Sequence, residues 1–440
     1  MPQDIARLYQ QCDPARPLAP GDARYIPCTG VRGEGDLMAQ LTNALRWSDT
    51  PIQVLFAGHR GGGKSTELLR LHQALVHPPD GEPRYFVVYF EADAEDVDVN
   101  DVDMPDLLFA IIRQVGRVLR EQVHEGLRPS WLNRFVDDLK RFLGSEVDFE
   151  KLQLDAKIAK ITATIKSSPE ARVAIRKALE PNVSNLLVAA NDLLYEAVTR
   201  LRLKGYRDLV LIVDNLDRIV LRDLPDSPFN THEHLFINRG AQLAQLCCHV
   251  VYTLPISLVF SPKATALVNV FGRRPDVLPM VKILQRDGHD DPVGLEAMRA
   301  MVRQRLVAAQ APEVAAFDTE DTLDYVCRMS GGHVRNLLIL IRTTCTIAGA
   351  LPLTRHYVEQ AVRGLSNDFE RALNRPEFFE VLRQIDQSHA LPGSDSDQLL
   401  LYNLSVLEYL NGAAWYAVNP AVRVLEKLQP PKRSRARRTQ

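Results

Sequence analysis

Apolar residues in this chain fall into two regimes. From about residue 51 to 290 they come as short runs closed by glycine, proline or acidic residues. The runs are PIQVLFAG, RYFVVYFEAD, DLVLIVDNLD and HVVYTLPISLVF, with VLPMVKIL as a fifth candidate. Each is the length of a buried strand, and helical spacing of leucines, as in ELLRLHQAL and DLLFAIIRQVGRVL, falls between them. Alternating strands and helices predict an α/β fold with a parallel sheet sandwiched by helices. Between about residues 121 and 205 the pattern changes. Leu152, Leu154, Ala156 and Ile158 alternate, and Ile161, Ala163 and Ile165 follow after a one-residue slip, which reads as a half-buried strand pair or a bulged strand. Ser168 and Pro169 then open a helix, and VSNLLVAANDLLYEAVTRL continues as a longer one.

Beyond Pro292 the spacing is helical almost to Arg375, and the stretch 371–425 mixes aromatic strand-like pieces with helix, as a winged-helix-like unit would. The expected organisation is an N-terminal segment 1–50, an α/β core 51–290 with a helical/β insertion at about 121–205, a helical domain 291–370, the C-terminal unit 371–425 and a tail 426–440. The tail carries Lys432, Arg433, Arg435, Arg437 and Arg438 behind two prolines, a composition that resists packing.

Composition narrows the functional classes. With 440 residues, 46% hydrophobic and 25% charged, the chain has the balance of a multi-domain globular protein. A net charge of −2 gives no bulk attraction to nucleic acid or anionic membrane, so any such contact must be a local patch. No run reaches the roughly 20 apolar residues of a membrane span. Cys12, Cys28, Cys247, Cys248, Cys327 and Cys345 show neither a C-x-x-C pair nor zinc-ligand spacing, so they read as small buried hydrophobes in a reducing cytoplasm. His232-Glu233-His234 lacks the helical spacing of a shared metal face and reads as a helix start.

The chemistry concentrates in two places. Gly58-His59-Arg60-Gly61-Gly62-Gly63-Lys64-Ser65, followed by Thr66, fits G-x-x-x-x-G-K-[ST] between a predicted strand and a predicted helix. Glycines let backbone N–H groups turn onto phosphate oxygens, and the helix opening at Lys64 adds its positive end. Lys64 is expected on the β- and γ-phosphates and the Ser65 hydroxyl on Mg²⁺. The second place is LVLIVDNLDRI, which puts Asp214 and Asp217 at a buried strand end, with Asp214 the expected carboxylate on Mg²⁺. The next residue, Asn215, cannot act as a base, leaving Asp217, slightly favoured, or Glu91 at the end of YFEAD to activate water.

In these motifs the chain resembles the AAA+ ATPases, in particular the origin-recognition/Cdc6-like and STAND branches. GHRGGGKST is similar to their first nucleotide motif, LIVDNLDRI to their acidic motif and SGGHVRNLL to their lid signature, over roughly residues 25–375. The resemblance implies ATP and Mg²⁺ as ligands and slow ATP hydrolysis driving a switch or an assembly. It makes residues 291–370 a lid, gives Arg335 a role in sensing the γ-phosphate and Thr253 the place of the first sensor. Arg273 or Arg274 would reach a neighbouring subunit in a homo-oligomer, and Arg32 and Glu34 would line the adenine pocket. It also implies an effector protein as partner, as in bacterial anti-phage systems; the insertion at about 121–205 departs from the family's pattern and is where such a partner is expected to bind. Two other readings stay open: a DNA loader using the C-terminal unit and basic tail, and a nucleotide-gated binding module with little turnover, for which Asn215 speaks.

Overall fold

The computed structural model describes residues 2–79, 81–124, 154–225, 227–311 and 313–429. In chain order the principal elements are α1 (Pro2–Gln11), α2 (Leu37–Trp47), β1 (Gln53–Gly58), α3 (Lys64–Val76), β2 (Phe86–Glu91), α4 (Ala92–Glu95) and α5 (Met104–Val123). Next come α6 (Leu154–Ser167), α7 (Pro169–Leu179), α8 (Val183–Leu203), β3 (Leu209–Asp214), β4 (His249–Pro255) and β5 (Asp276–Leu278). The remainder holds α9 (Pro292–Ala308), α10 (Glu320–Met329), α11 (Val334–Ala348), α12 (Arg355–Ala372), α13 (Pro376–Ser388), α14 (Asp395–Tyr402) and the strands β6 (Val406–Asn411) and β7 (Ala413–Val418).

The chain divides into two compact units. One comprises Leu37–Ala57 and Glu67–Val277, and the other the described residues of 1–36, 58–66 and 278–440. The first holds the α/β sheet, five strands in the order β2-β3-β4-β1-β5, with β2, β3 and β4 in parallel register. Every residue of β1, β3 and β4 is buried. That is the signature of central parallel strands covered on both faces, and it explains why their sequences read as unbroken apolar runs. The fifth strand is shorter than VLPMVKIL suggests: only Asp276–Leu278 pairs, and Met280, Val281 and Ile283 are instead buried in the other unit.

The half-buried strand expected around Leu154–Ile165 is a helix, α6. Its buried Ile158, Ile161, Thr162 and Ile165 recur three and four apart, a helical face that packs on α5, so the tertiary partner selected the 3.6 period over the alternation. Leu152, in the same expectation, lies outside the described residues. The helix expected at Ser168 is present: Ser168 is extended, its hydroxyl accepts from Ala171 N and Pro169 occupies the first turn.

In the second unit, α1, α9, α10, α11 and α12 share a core that includes Leu8, Met298, Val302, Leu337, Ile341 and Val358. The helices α13 and α14 precede the antiparallel β6–β7 hairpin, whose Tyr409 and Trp415 rings stack at 4.7 Å over Leu407 and Met280. Trp415 is a core residue here. All six cysteines are free thiols, five of them buried. No helix among the described residues is long and apolar enough to cross a membrane. Lys432, Arg433, Arg435, Arg437 and Arg438 lie outside the described residues.

Candidate nucleotide site

The phosphate-loop motif becomes a tight turn that ends where α3 begins at Lys64. Gly62 N donates to His59 O at 3.0 Å, and the Lys64 ammonium folds over the loop to donate to Gly58 O at 2.6 Å and His59 O at 2.9 Å. Lys64 is 5% exposed, so its charge is held inside the loop's curvature. Gly61 has φ +83°, and a Cβ there would lie 2.7 Å from the Arg335 Cβ and 2.8 Å from its Cδ and Nε. The position therefore excludes a side chain twice, by conformation and by close approach. Arg32 donates to Pro279 O at 3.1 Å, and its Nη2 is 3.4 Å from where a Gly63 Cβ would sit, which places this guanidinium beside the loop. Glu34 is exposed. Thr66 Oγ1 accepts from Leu18 N at 3.1 Å, tying the N-terminal segment to the same turn.

Helix α11 meets the loop end-on. Arg335 N donates to Gly61 O at 3.2 Å, and His333 Nε2 contacts Arg60 O at 2.7 Å. His333 is also the N-cap of α11, its Nδ1 accepting from Asn336 N at 3.2 Å. An accepting Nδ1 puts the proton on Nε2, so His333 donates to the loop carbonyl as a neutral ring. Burial, with Arg335 and Lys64 close by, pushes its pKa down to about 4, against the opposing pull of Arg60 and Asn336. The Ser330-Gly331-Gly332 turn is equally constrained: Gly332 has φ +70°, and a Cβ there would lie 1.8 Å from Val281 O.

A second buried histidine joins the loop to the C-terminal hairpin. His59 Nε2 accepts from Glu408 N on β6 at 3.0 Å, Glu408 O accepts from Met280 N at 3.1 Å, and Tyr409 OH donates to Gly331 O at 2.7 Å. Burial, reinforced by His333 and Lys64, pushes the His59 pKa down to about 3. Glu408 is itself buried, and desolvation raises its carboxyl to about 7. Arg60 reaches Tyr402 OH at 3.4 Å with its guanidinium over the ring. Sequence reasoning placed His59 in the phosphate loop but missed its bond to β6, and missed the roles of His333 and Glu408, because the partners lie 273 to 349 residues away.

In the α/β unit, Glu91 and Asp214 sit opposite each other in strand register at the ends of β2 and β3. Asp214 Oδ2 accepts from Tyr89 OH at 2.8 Å and Oδ1 from Asn215 N at 2.7 Å. Asn215 takes φ +67°, and its Nδ2 donates to Glu91 Oε2 at 3.2 Å and Asp93 Oδ1 at 2.8 Å. Desolvation first, then the Asp214 charge, raises the Glu91 pKa above its ordinary value, with Arg218 opposing. Asp217 is buried in the one-turn 3₁₀ helix Leu216–Arg218. The Thr253 hydroxyl accepts from Leu216 N at 2.9 Å and donates to Val213 O at 3.3 Å, buckling the turn after Asp214. Arg273 pairs with Asp276 at 2.7 Å, while Arg274 is exposed. His232 is buried against Ser257 and Ile219 O, and no cluster of three candidate ligands for a metal ion occurs among the described residues.

No family model matches the sequence, and no curated protein matches it. The solved structures to which the chain is similar include origin-recognition and Cdc6 proteins, one of the two branches its motifs resemble. A Drosophila origin recognition complex structure bound to DNA aligns at 11% identity and TM-score 0.41, over 91% of this chain and 77% of that one. The Cdc6 protein of Pyrobaculum aerophilum aligns at 13% identity and TM-score 0.38, over 94% of each chain. An Aeropyrum pernix origin-recognition protein, solved as ADPNP and ADP complexes, aligns at 12% identity and TM-score 0.39, over 89% of this chain and 91% of that one.

Proposed function

We propose that this chain binds ATP with Mg²⁺ at the Gly58–Ser65 loop, hydrolyses it slowly, and uses the cycle as a switch acting on a partner effector, in a defence setting of the kind the resemblance implies. The observation that carries the reading is the buried loop itself. An ammonium, a helix N-terminus and a glycine-built turn converge where only an anion satisfies all three. Lys64 donates to two carbonyl oxygens of its own loop, and phosphate oxygens are stronger acceptors for an ammonium than carbonyls are. Ser65 and Asp214 carry the two metal-directed groups of the motif pair, and a hydroxyl and a carboxylate are oxygen ligands of the kind Mg²⁺ takes. The ion's contribution there is to offset charge on the phosphates.

Of the two acids open from the sequence, Glu91 is the better base. Its carboxylate is aimed by Asn215, and it lies in register with the metal-directed Asp214. Asp217 is buried within its own turn. In the step assigned to Glu91, a carboxylate oxygen takes a proton from water as the water oxygen bonds to the terminal phosphorus. The bond from phosphorus to the bridging oxygen breaks and ADP leaves. Arg335, on the lid helix bonded to Gly61, is suited to report the terminal phosphate to the lid.

The test is equilibrium binding of ATP with Mg²⁺ and steady-state phosphate release. Lys64→Ala removes a charged hydrogen-bond donor worth about 1.5–3 kcal/mol, so affinity should fall roughly 10- to 100-fold. Glu91→Gln should bind ATP normally and release no phosphate above background. A wild-type protein with no measurable ATP affinity would end this reading.

A further inference from the structure

The acidic strand end is held from outside the sheet. Glu91 is the last residue of β2 and runs directly into the single turn of α4. Lys166, on α6, donates from its ammonium to Asp93 O at 2.9 Å and Ala94 O at 2.8 Å, the carbonyls closing that turn. A cation on the exposed carbonyls of a helical turn opposes their negative partial charge and fixes where the turn ends. The Asp93 carboxylate faces the other way, accepting from Asn215 Nδ2 and from Arg218 Nη1, each at 2.8 Å. The same Asn215 Nδ2 reaches Glu91. One continuous chain of contacts therefore runs from Lys166 through Asp93 and Asn215 to the carboxylate assigned to water activation.

The neighbouring helix reinforces this hold. Arg172 on α7 pairs with Asp98 at 3.0 Å and with Asp101 at 3.1 Å, and Arg176 pairs with Asp101 at 2.8 Å and with Asp106. Asp98 and Asp101 lie on the connection from α4 to α5, so α6 and α7 grip the segment that follows Glu91 at successive points. Arg172 is 3% exposed and Asp106 2%, which makes this packing buried rather than a loose surface lattice. Both helices belong to the stretch inserted between the two nucleotide motifs.

We propose that the inserted helices α6 and α7 position the hydrolytic carboxylate, with Lys166 the positioning residue that sets Glu91 through Asp93 and Asn215. The inference rests on the assignment of Glu91 as base. Lys166 touches no substrate. Its removal leaves the phosphate loop unchanged and lets the α4 turn drift, lowering kcat while KM for ATP stays in place.

The experiment measures kcat, KM and thermal midpoint for wild type, Lys166→Ala, Lys166→Arg, Asn215→Ala and Glu91→Gln in the full chain. Lys166→Ala and Asn215→Ala should each lower kcat about tenfold with KM within twofold of wild type, and Lys166→Arg should restore most of the rate, because a second long cation can reach the same carbonyls. An active Glu91→Gln would overturn the underlying assignment. An inactive Glu91→Gln beside a Lys166→Ala of wild-type kcat would overturn the positioning proposal alone. A Lys166→Ala with lowered thermal midpoint, raised KM and no rescue by arginine would assign Lys166 to folding and likewise refute it.

Discussion

The His333 contacts yield a prediction whose size changes with pH. His333→Asn keeps a side-chain oxygen suited to capping α11 but is too short to donate to Arg60 O, leaving that carbonyl inside the junction without its donor. The cost at pH 7.5 is about 1–3 kcal/mol. Wild-type His333 also carries a linked proton. Its pKa is pushed down from 6.5 to about 4 by burial, with help from Arg335 and Lys64. The unfolded chain takes up this proton from pH 6.5 downward and the folded chain does not until about pH 4. The stability associated with the neutral ring is thus complete above 6.5 and lost as pH falls through the interval to 4. At pH 5 that loss is about 2 kcal/mol for wild type and absent for the asparagine variant. His59, pushed down to about 3 chiefly by burial, which the substitution leaves in place, stays neutral in both folded proteins at pH 5 and adds little to the difference. Thermal midpoints by scanning calorimetry should therefore differ by several degrees at pH 7.5 and converge by pH 5. A gap that is absent at pH 7.5, or that does not narrow with acid, would refute both the tautomer and the linkage.

Two further substitutions probe the same architecture. Gly332→Ala places a Cβ 1.8 Å from Val281 O at φ +70°, so the turn before α11 must move; the thermal midpoint should fall by on the order of 5 °C or more and ATP affinity at least tenfold, measured by calorimetry and equilibrium binding. Thr253→Val retains shape but leaves the buried Leu216 N without its acceptor, at a cost of about 1–3 kcal/mol, and should lower phosphate release more than ATP binding because it loosens the turn after Asp214.

The parts of this molecule that were legible in advance are those in which local chemistry fixes the answer. A strand, a glycine turn and a helix at Lys64 follow from spacing alone, as does an acid at the end of an all-apolar strand. α6 was misread because alternation over Leu154–Ile158 is short, and the same isoleucines satisfy a helical face once α5 is there to cover them. The carboxylate question could not be closed from sequence, since Glu91 and Asn215 meet across 124 residues. His333 did leave a trace, standing directly after the glycine turn where a helix must be capped, but histidine is a less usual cap than serine or aspartate. Nothing local marks His59 as a wall of another element.

The seating of β6 on the phosphate loop has a practical consequence for anyone trimming this protein to a shorter fragment. A boundary drawn after α12, where the helical bundle ends, would discard the strand whose amide occupies His59 and whose tyrosine holds the Gly331 carbonyl. The shortened polypeptide would retain every signature residue yet open Met280 and the back of the loop to water, and measurements made on it would describe a different molecule.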